Sequence, residues 1–467
     1  MDLKNLQTKL EDALQRHHVA GASIAVFHNG CLTTAAAGVV NVTTDIKMTP
    51  ETLIHLNSIT KVFNATLIMQ LVDEGRLGLD DLVIQHLPDL KLQIPLAREC
   101  ITVKMLLNHT SGIDGELLPD YGHDEETIEK AMSRFMNMGL LHKPGADCSY
   151  CNTGTVIAGY LAQRITGKSW YDLIKEKIFE PLDLVEAVVL PEDALLHRAS
   201  VGHHLEPLTC EISRSSVAFL PLSFSPAGST MMMSARNLVI FARAHIANGA
   251  GLNGKRILSE QSTIAMRQVT AQHTHFKGLS GMGLGWMVFN NGMIGHAGNS
   301  AGNASMLYVH PEKSFVAAIL TNTEHGLALI NDFMRPWLKE IANIQPYGDI
   351  DDASRPTEDA VIDVGLYVGV YESNALRCEI SSMLNGLGLS MQTKFQINDN
   401  SANEKLSITP LIFISEDHFA LAPKEKRVAA DLVAPTEIGF SHFDNEGRPG
   451  YLALKGRLLR RTSSCEA

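Results

Sequence analysis

The sequence predicts a mixed α/β body followed by a small antiparallel β unit, on three observations. Helical and strand-like periodicities alternate as far as residue 342. A stretch rich in Pro and acid, with little periodicity, then occupies residues 343–362. Beyond it the pattern changes to short runs separated by turn residues, about seven in some 105 residues, which suggests a barrel or sandwich. A length of 467 residues, at roughly 150 per domain, fits two or three such units.

The elements follow in order. Residues 3–17 place Leu3, Leu6, Leu10 and Leu14 on one stripe, an amphipathic helix. Two β-rich runs, Ala22–Phe27 and Cys31–Val40, flank His28-Asn29-Gly30. Asn-Gly between such runs signals a hairpin, because both residues tolerate positive φ. From Ser58 to Glu74 apolar residues lie nearly all round, so this helix belongs in an interior. Helix resumes at 102–107 and stops at the turn-rich Asn108–Gly112. Further helices are expected at 153–166, 171–180 and, after a loop, within 226–249. Strand-like runs at 285–297, 304–310 and 315–321 and a helix at 325–342 complete the body. The expected units are therefore 1–345, a linker at 346–362, and 363–467, with no internal repeat.

Composition excludes several classes. With 45% hydrophobic and 19% charged residues the chain is globular. Lys+Arg at 39 against Asp+Glu at 51 gives a net charge of −12, which disfavours nucleic acid and anionic membrane as partners. No apolar run approaches the ~18–20 residues that cross a bilayer. The start, Met1-Asp2-Leu3-Lys4, has no apolar signal core, so a cytoplasmic location is expected. Seven scattered cysteines read as reduced thiols, not as a disulfide framework.

Ser58-Ile59-Thr60-Lys61 carries the most chemistry. Positions i and i+3 share a helix face, placing a hydroxyl beside an amine. Serine is a weak nucleophile that needs such a neighbour, and a lysine in an apolar helix is costly to bury without a task. Tyr150-Cys151-Asn152 adds a phenol able to cycle a proton and an amide able to donate and accept, although Asn152 could instead cap the next helix. His296-Ala297-Gly298 follows a strand-like run, and Gly298 would let a substrate approach the backbone closely. A second His-x-Gly, at His28, is explained by its hairpin.

In this order and separation the three elements resemble those of the serine β-lactamase and penicillin-binding-protein superfamily, specifically its class C-like branch of esterases, D-amino-acid peptidases and amidases. Gly75–Asp81, Leu106–Gly112, Tyr150–Gly154, Pro226–Gly228, Gly283–Trp286 and His296–Gly302 are similar to further family landmarks. The resemblance spans roughly residues 5–342, and the tail is similar to the lipocalin-like domains that some members append. It implies an antiparallel sheet flanked by helices, an all-helical subdomain and a small β-barrel. It also implies catalytic roles for Ser58, Lys61, Tyr150 and His296. Ser58 would form an acyl-enzyme, Lys61 would activate it and tune Tyr150, and Tyr150 would shuttle the proton. Asn152 would hold Lys61 and a substrate carbonyl, and His296 would support Tyr150. Gly298 belongs to the same substrate-binding stretch, and the backbone N–H groups of Ser58 and Asn299 would form the oxyanion hole. No metal or organic cofactor is implied, and the expected partner is a small-molecule or peptide substrate; the oligomeric state is left open.

The departures narrow the substrate. Where the family's K-T-G form helps anchor a carboxylate, Ala297 has no hydroxyl and His296 need not be charged at pH 7. This favours an esterase, amidase or aminopeptidase over a penicillinase or carboxypeptidase. Transfer of the acyl group to an amine or alcohol, as in an acyltransferase or peptide cyclase, is the alternative, with a non-catalytic sensor behind it. Three features read as structural: the Cys148/Cys151 pair as coincidence, Met231–Met233 as core filler, and Arg457, Arg460 and Arg461 as a solvated strand face. A tail reaching over the site to restrict substrate length is the other reading of those arginines.

Overall fold

The structure is a computed structural model. It describes residues 5–90, 99–115, 120–124, 126–135, 138–206, 209–273, 279–300, 302–343, 363–384, 386–394, 408–415, 417–422 and 436–462. The linker expected at 346–362 lies outside the described residues, as do residues 405–407 of the strand that the tail's pattern predicts at 405–413.

Asn29 (φ 50°) and Gly30 (φ 80°) form the hairpin turn that Asn-Gly announces. They join strands Gly21–His28 and Cys31–Asn41 at the heart of an antiparallel sheet. Among the described residues this sheet has eight strands. Their order is Ile46–Lys47, Cys31–Asn41, Gly21–His28, Phe315–Thr321, Asn303–His310, Ile294–Ser300, Met287–Phe289, Leu279–Met282. The run expected as one strand at 285–297 is two strands, because Asn290–Gly292 turns the chain between them. Leu279–Met282 was too short and Gly-bearing to show in the sequence pattern.

Side chains alternate faces along a strand, yet here both faces are apolar. Ala25, Phe27, Val316, Ala318 and Leu320 face the helical core. Ile24, Val26, Phe315, Ala317 and Ile319 instead pack beneath the first helix, Leu6–Arg16, and the last, Gly326–Ala342. A sheet covered on both sides is rigid, which suits a scaffold for chemistry.

On the helical side, Thr60–Asp73 is buried from Thr60 through Leu71. Helix Asn152–Thr166 packs directly against it, and Asn64 donates to the Thr155 carbonyl at 3.0 Å. Phe63 stacks on Phe241 with ring centroids 3.7 Å apart and meets the edge of Phe179 at 6.3 Å. Among the described residues no helix is long and apolar enough to cross a membrane.

The tail forms a closed antiparallel barrel, Gly369–Glu372 pairing with Arg457–Thr462 to shut it. Eight strands are described where the sequence suggested about seven. The additional one is Arg457–Thr462, the strand that carries the three arginines. Tyr371, Phe419, Phe440 and Leu452 fill the barrel interior together with Ile380 and Leu389.

Phe63 is fully buried, so Phe63→Ala is expected to destabilise the α/β body by about 3–5 kcal/mol. Trp170, Trp286 and Trp337 all lie in that body, so denaturant unfolding followed by tryptophan fluorescence reads it directly. A midpoint equal to that of the wild type would contradict this packing.

Candidate active site

Ser58 sits in a single 3-10 turn, Asn57–Ile59, that leads into the buried helix. The turn begins with Asn57 at φ 52° and is crossed from below by Gly228 at φ 117°. A Cβ on Gly228 would lie 2.1 Å from the Asn57 carbonyl oxygen, so only glycine fits there. One helical turn on, Lys61 is 2% exposed. Its Nζ donates to Ser58 Oγ at 3.1 Å and to the Ala227 carbonyl at 2.6 Å. The same Nζ lies 4.9 Å from the centroid of the Tyr150 ring.

Tyr150 precedes helix Asn152–Thr166. Cys151, not Asn152, caps that helix, its Sγ accepting from the Gly154 N–H at 3.3 Å. Asn152 is therefore the half-buried first residue of the helix, not its cap. The thiol of Cys151 points to the Ile113 carbonyl at 3.5 Å and that of Cys148 to the Asn108 carbonyl at 3.7 Å. Burial pushes Cys148 up to about 12, so this thiol is inert, in line with the structural reading of C-x-x-C.

His296 lies on strand Ile294–Ser300 with its ring centroid 6.2 Å from that of Tyr150. Burial, followed by the charge of Lys61, lowers its pKa to about 3 against the opposing pull of the Ala297 carbonyl. The imidazole is neutral, and Nδ1 is 2.7 Å from the Ala297 oxygen. Nδ1 therefore carries the proton, leaving Nε2 as an acceptor. Neighbouring strand Met287–Phe289 pairs with this strand only at Ile294 and Gly295. From His296 onward that edge of the strand has no strand partner among the described residues, and the Ser58 turn packs against this strand. Asn299 lies on this stretch, with its side chain donating to the Glu324 carbonyl at 2.7 Å.

Gly298 differs from its expected use. A Cβ there would meet the Leu56 carbonyl at 2.4 Å and Ser305 Oγ at 2.5 Å. The close approach it permits is that of the Ser58 turn to the strand. Met231–Met233 are buried, and Met232–Met233 pairs with Ile54–His55, so these methionines serve the core.

Sequence reasoning passed over His109, although it lies within the quoted Leu106–Gly112 landmark. Its ring stacks on Tyr150 at 4.4 Å and 33°, and its Nδ1 accepts from the Cys151 N–H at 3.2 Å. Burial first, then the charges of Lys61 and its neighbours, holds it well below the ordinary histidine range. The expected solvated arginine face is corrected in part: Arg460 is exposed, whereas Arg457 and Arg461 are half-buried. Arg457 stacks over the Tyr150 ring at 4.8 Å. Arg460 donates to the carbonyls of Leu140 and Leu141, and Arg461 to those of Leu366 and Val368. Among the described residues no group of three His, Cys, Asp or Glu side chains is placed to hold a metal ion.

Known proteins share this plan. The family model described as Beta-lactamase matches residues 6–333. Penicillin-binding protein 4 of Amycolatopsis lactamdurans is 35% identical over 367 residues, 77% of this chain and 95% of the relative. Among solved structures, SurE matches with a TM-score of 0.75 at 24% identity over 98% of both chains, a likeness of fold that includes the barrel. The D-amino acid amidase from Ochrobactrum anthropi SV3, complexed with L-phenylalanine amide, matches at 0.56 and 25% identity. That likeness covers 69% of this chain and 91% of the amidase.

Two outcomes are expected. Gly298→Val displaces the Ser58 turn and should slow fluorophosphonate labelling of Ser58 on the order of 10²-fold, while thermal melting shows the fold retained. Labelling at the wild-type rate would contradict the packing argument. Separately, burial holds His55, His245, His273 and His296 at about 4, 3, 4 and 3. Below the unfolded value of ~6.5 the unfolded chain binds more protons than the folded one, so stability rises with pH across this window. Each histidine removes up to about 1.4 kcal/mol per pH unit as pH falls from 6.5 towards 4. Unfolding free energies at pH 7.5 and 5.5 should differ accordingly; equal values would contradict neutral burial.

Proposed function

The chain belongs to the beta-lactamase family, which makes it a serine hydrolase, and we propose that it works through an acyl-enzyme on Ser58 with a small amide, peptide or ester of the D-aminopeptidase or amidase type as substrate. The observation that carries this is the 3.1 Å contact between the buried Lys61 amine and Ser58 Oγ, with the Tyr150 ring against the same amine. The Ser58 oxygen attacks the carbonyl carbon while its proton passes to Tyr150, whose ionised form the Lys61 cation stabilises. The oxyanion is held by the N–H groups of Ser58 and Asn299, each donor supplying on the order of 3 kcal/mol in such sites. Tyr150 then protonates the leaving amine, and in the second half takes a proton from the incoming water.

The substrate class follows from what the His296 strand lacks. A neutral imidazole and the methyl of Ala297 offer no cation or hydroxyl to a carboxylate beside the scissile bond. An amino-acid amide makes no such demand, and the similar amidase is named for D-amino acid amides.

A fluorophosphonate is expected to add its mass to the Ser58 peptide and to leave Ser58→Ala unmodified. D-amino acid amides should be turned over faster than their L forms and faster than an N-acyl-D-Ala-D-Ala peptide or a chromogenic cephalosporin. Unlabelled wild type would end the hydrolase mechanism. Preference for the carboxylate-bearing substrates would overturn the substrate class, and transfer products in excess amine would replace hydrolysis by acyl transfer.

A further inference from the structure

The tip of one barrel hairpin reaches the centre of the site. Strands Pro449–Leu454 and Arg457–Thr462 are joined by a two-residue turn, Lys455 (φ 49°) and Gly456 (φ 78°), with Leu454 paired to Arg457. Positive φ at both central residues gives the tight turn whose twist matches the strands, so its approach to the body is fixed by backbone geometry. The Gly456 carbonyl accepts from the Tyr150 N–H at 2.8 Å and also from His273. Next to it, the Leu458 N–H donates to Ser149 Oγ at 3.1 Å. Further out, the Asn374 N–H donates to the Asp114 carboxylate at 3.0 Å, and the Tyr451 hydroxyl to the Leu141 carbonyl at 2.9 Å. The barrel is thus docked along the segment that carries Tyr150.

This docking places the Arg457 guanidinium 4.8 Å from the Tyr150 ring centroid, almost the distance of Lys61 Nζ at 4.9 Å. We propose that Arg457 is a positioning residue of the active site: it acts through Tyr150, fixing the ring by stacking and adding a second positive charge beside the phenol oxygen's proton-transfer chemistry. The inference rests on the assignment of Tyr150 as the proton shuttle. A cation over an aromatic face is attracted to the neutral phenol and more strongly to the phenolate, so it favours the proton-accepting form. Among the described residues, the neighbouring histidines and thiol do not supply that charge. His109 and His296 are neutral, His273 at the hairpin is held at about 4, and Cys148 on the same segment is a neutral thiol. The Arg457 guanidinium also contributes, after burial, Lys61 and His296, to holding His109 below the ordinary histidine range.

The test uses the full chain and its Arg457→Met and Arg457→Lys variants. The readouts are the rate of Ser58 labelling by a fluorophosphonate from pH 5 to 10, and kcat and KM for p-nitrophenyl acetate. Methionine keeps an apolar stem over the ring and leaves the Tyr150–Gly456 backbone bond in place, so circular dichroism and melting should match the wild type. The acid-side limb of the labelling profile should move to higher pH by roughly 0.5–1.5 units in Arg457→Met. At neutral pH, kcat should fall with little change in KM, and Arg457→Lys should recover part of the shift. If Arg457→Met does not fold, Arg457→Gln serves as the charge-free variant, and a limb at the wild-type position with wild-type kcat overturns the proposal. A raised KM with an unmoved limb in either variant overturns it and makes Arg457 a substrate contact. Wild-type protein that does not label at Ser58 removes the mechanism itself, whereas a labelled wild type with unmoved variants removes only the role of Arg457.

Discussion

A lysine ammonium held out of water sets the terms for the rest of the molecule. Burying a charge carries a penalty of several kcal/mol unless polar partners offset it. For Lys61 those partners include the Ala227 carbonyl and the Ser58 hydroxyl. Presenting that carbonyl requires the turn Leu222–Ala227 to end in Gly228 with φ 117°, pressed under Asn57. Asn57 in turn adopts φ 52° so that Ser58 can start the helix on which Lys61 rides. Gly298 admits the sheet edge to the other side of the same turn. Each of these strained or crowded positions is intelligible once the amine is taken as fixed, and the hydroxyl beside it is held ready by the same bonds.

Much of this plan was legible in residue patterns, and the reason differs from element to element. The hairpin at Asn29-Gly30 was visible because a two-residue turn is a purely local demand on φ. The helix after Ser58 was visible because an all-apolar surface has nowhere to go but inside. Local signals also brought Ser58 next to Lys61, since helical spacing alone sets i against i+3. The convergence of Tyr150 and His296 on them came from resemblance, because nothing local in either tripeptide says what lies across the pocket. Misreadings fell where tertiary contact decides. The alternative reading of Asn152 as a helix cap fails because the Cys151 thiol takes that role. Three arginines looked solvated because a charged strand face usually is; Arg460 stays exposed, and it is the docked barrel that brings Arg457 over Tyr150. His109 left no signal beyond its place in a turn-rich landmark.

The electrostatic character of the site is a contrast between groups that cannot change charge and groups that can. Burial silences its histidines, so imidazole here serves as a shaped, hydrogen-bonding wall. Positive charge comes instead from Lys61 on the buried helix and Arg457 on the barrel, on residues whose intrinsic pKa values lie far above neutrality. A net charge of −12 over the whole chain makes that local concentration of cations the more distinctive.

The barrel's interior has its own implication. Tyr367, Phe419 and Phe440 meet edge to face, and Tyr371 closes on Phe440 at 5.7 Å. Rings packed in this way fill the described interior of the cylinder. What this unit presents to the body is its rim, where the Lys455–Gly456 turn bonds to the Tyr150 backbone.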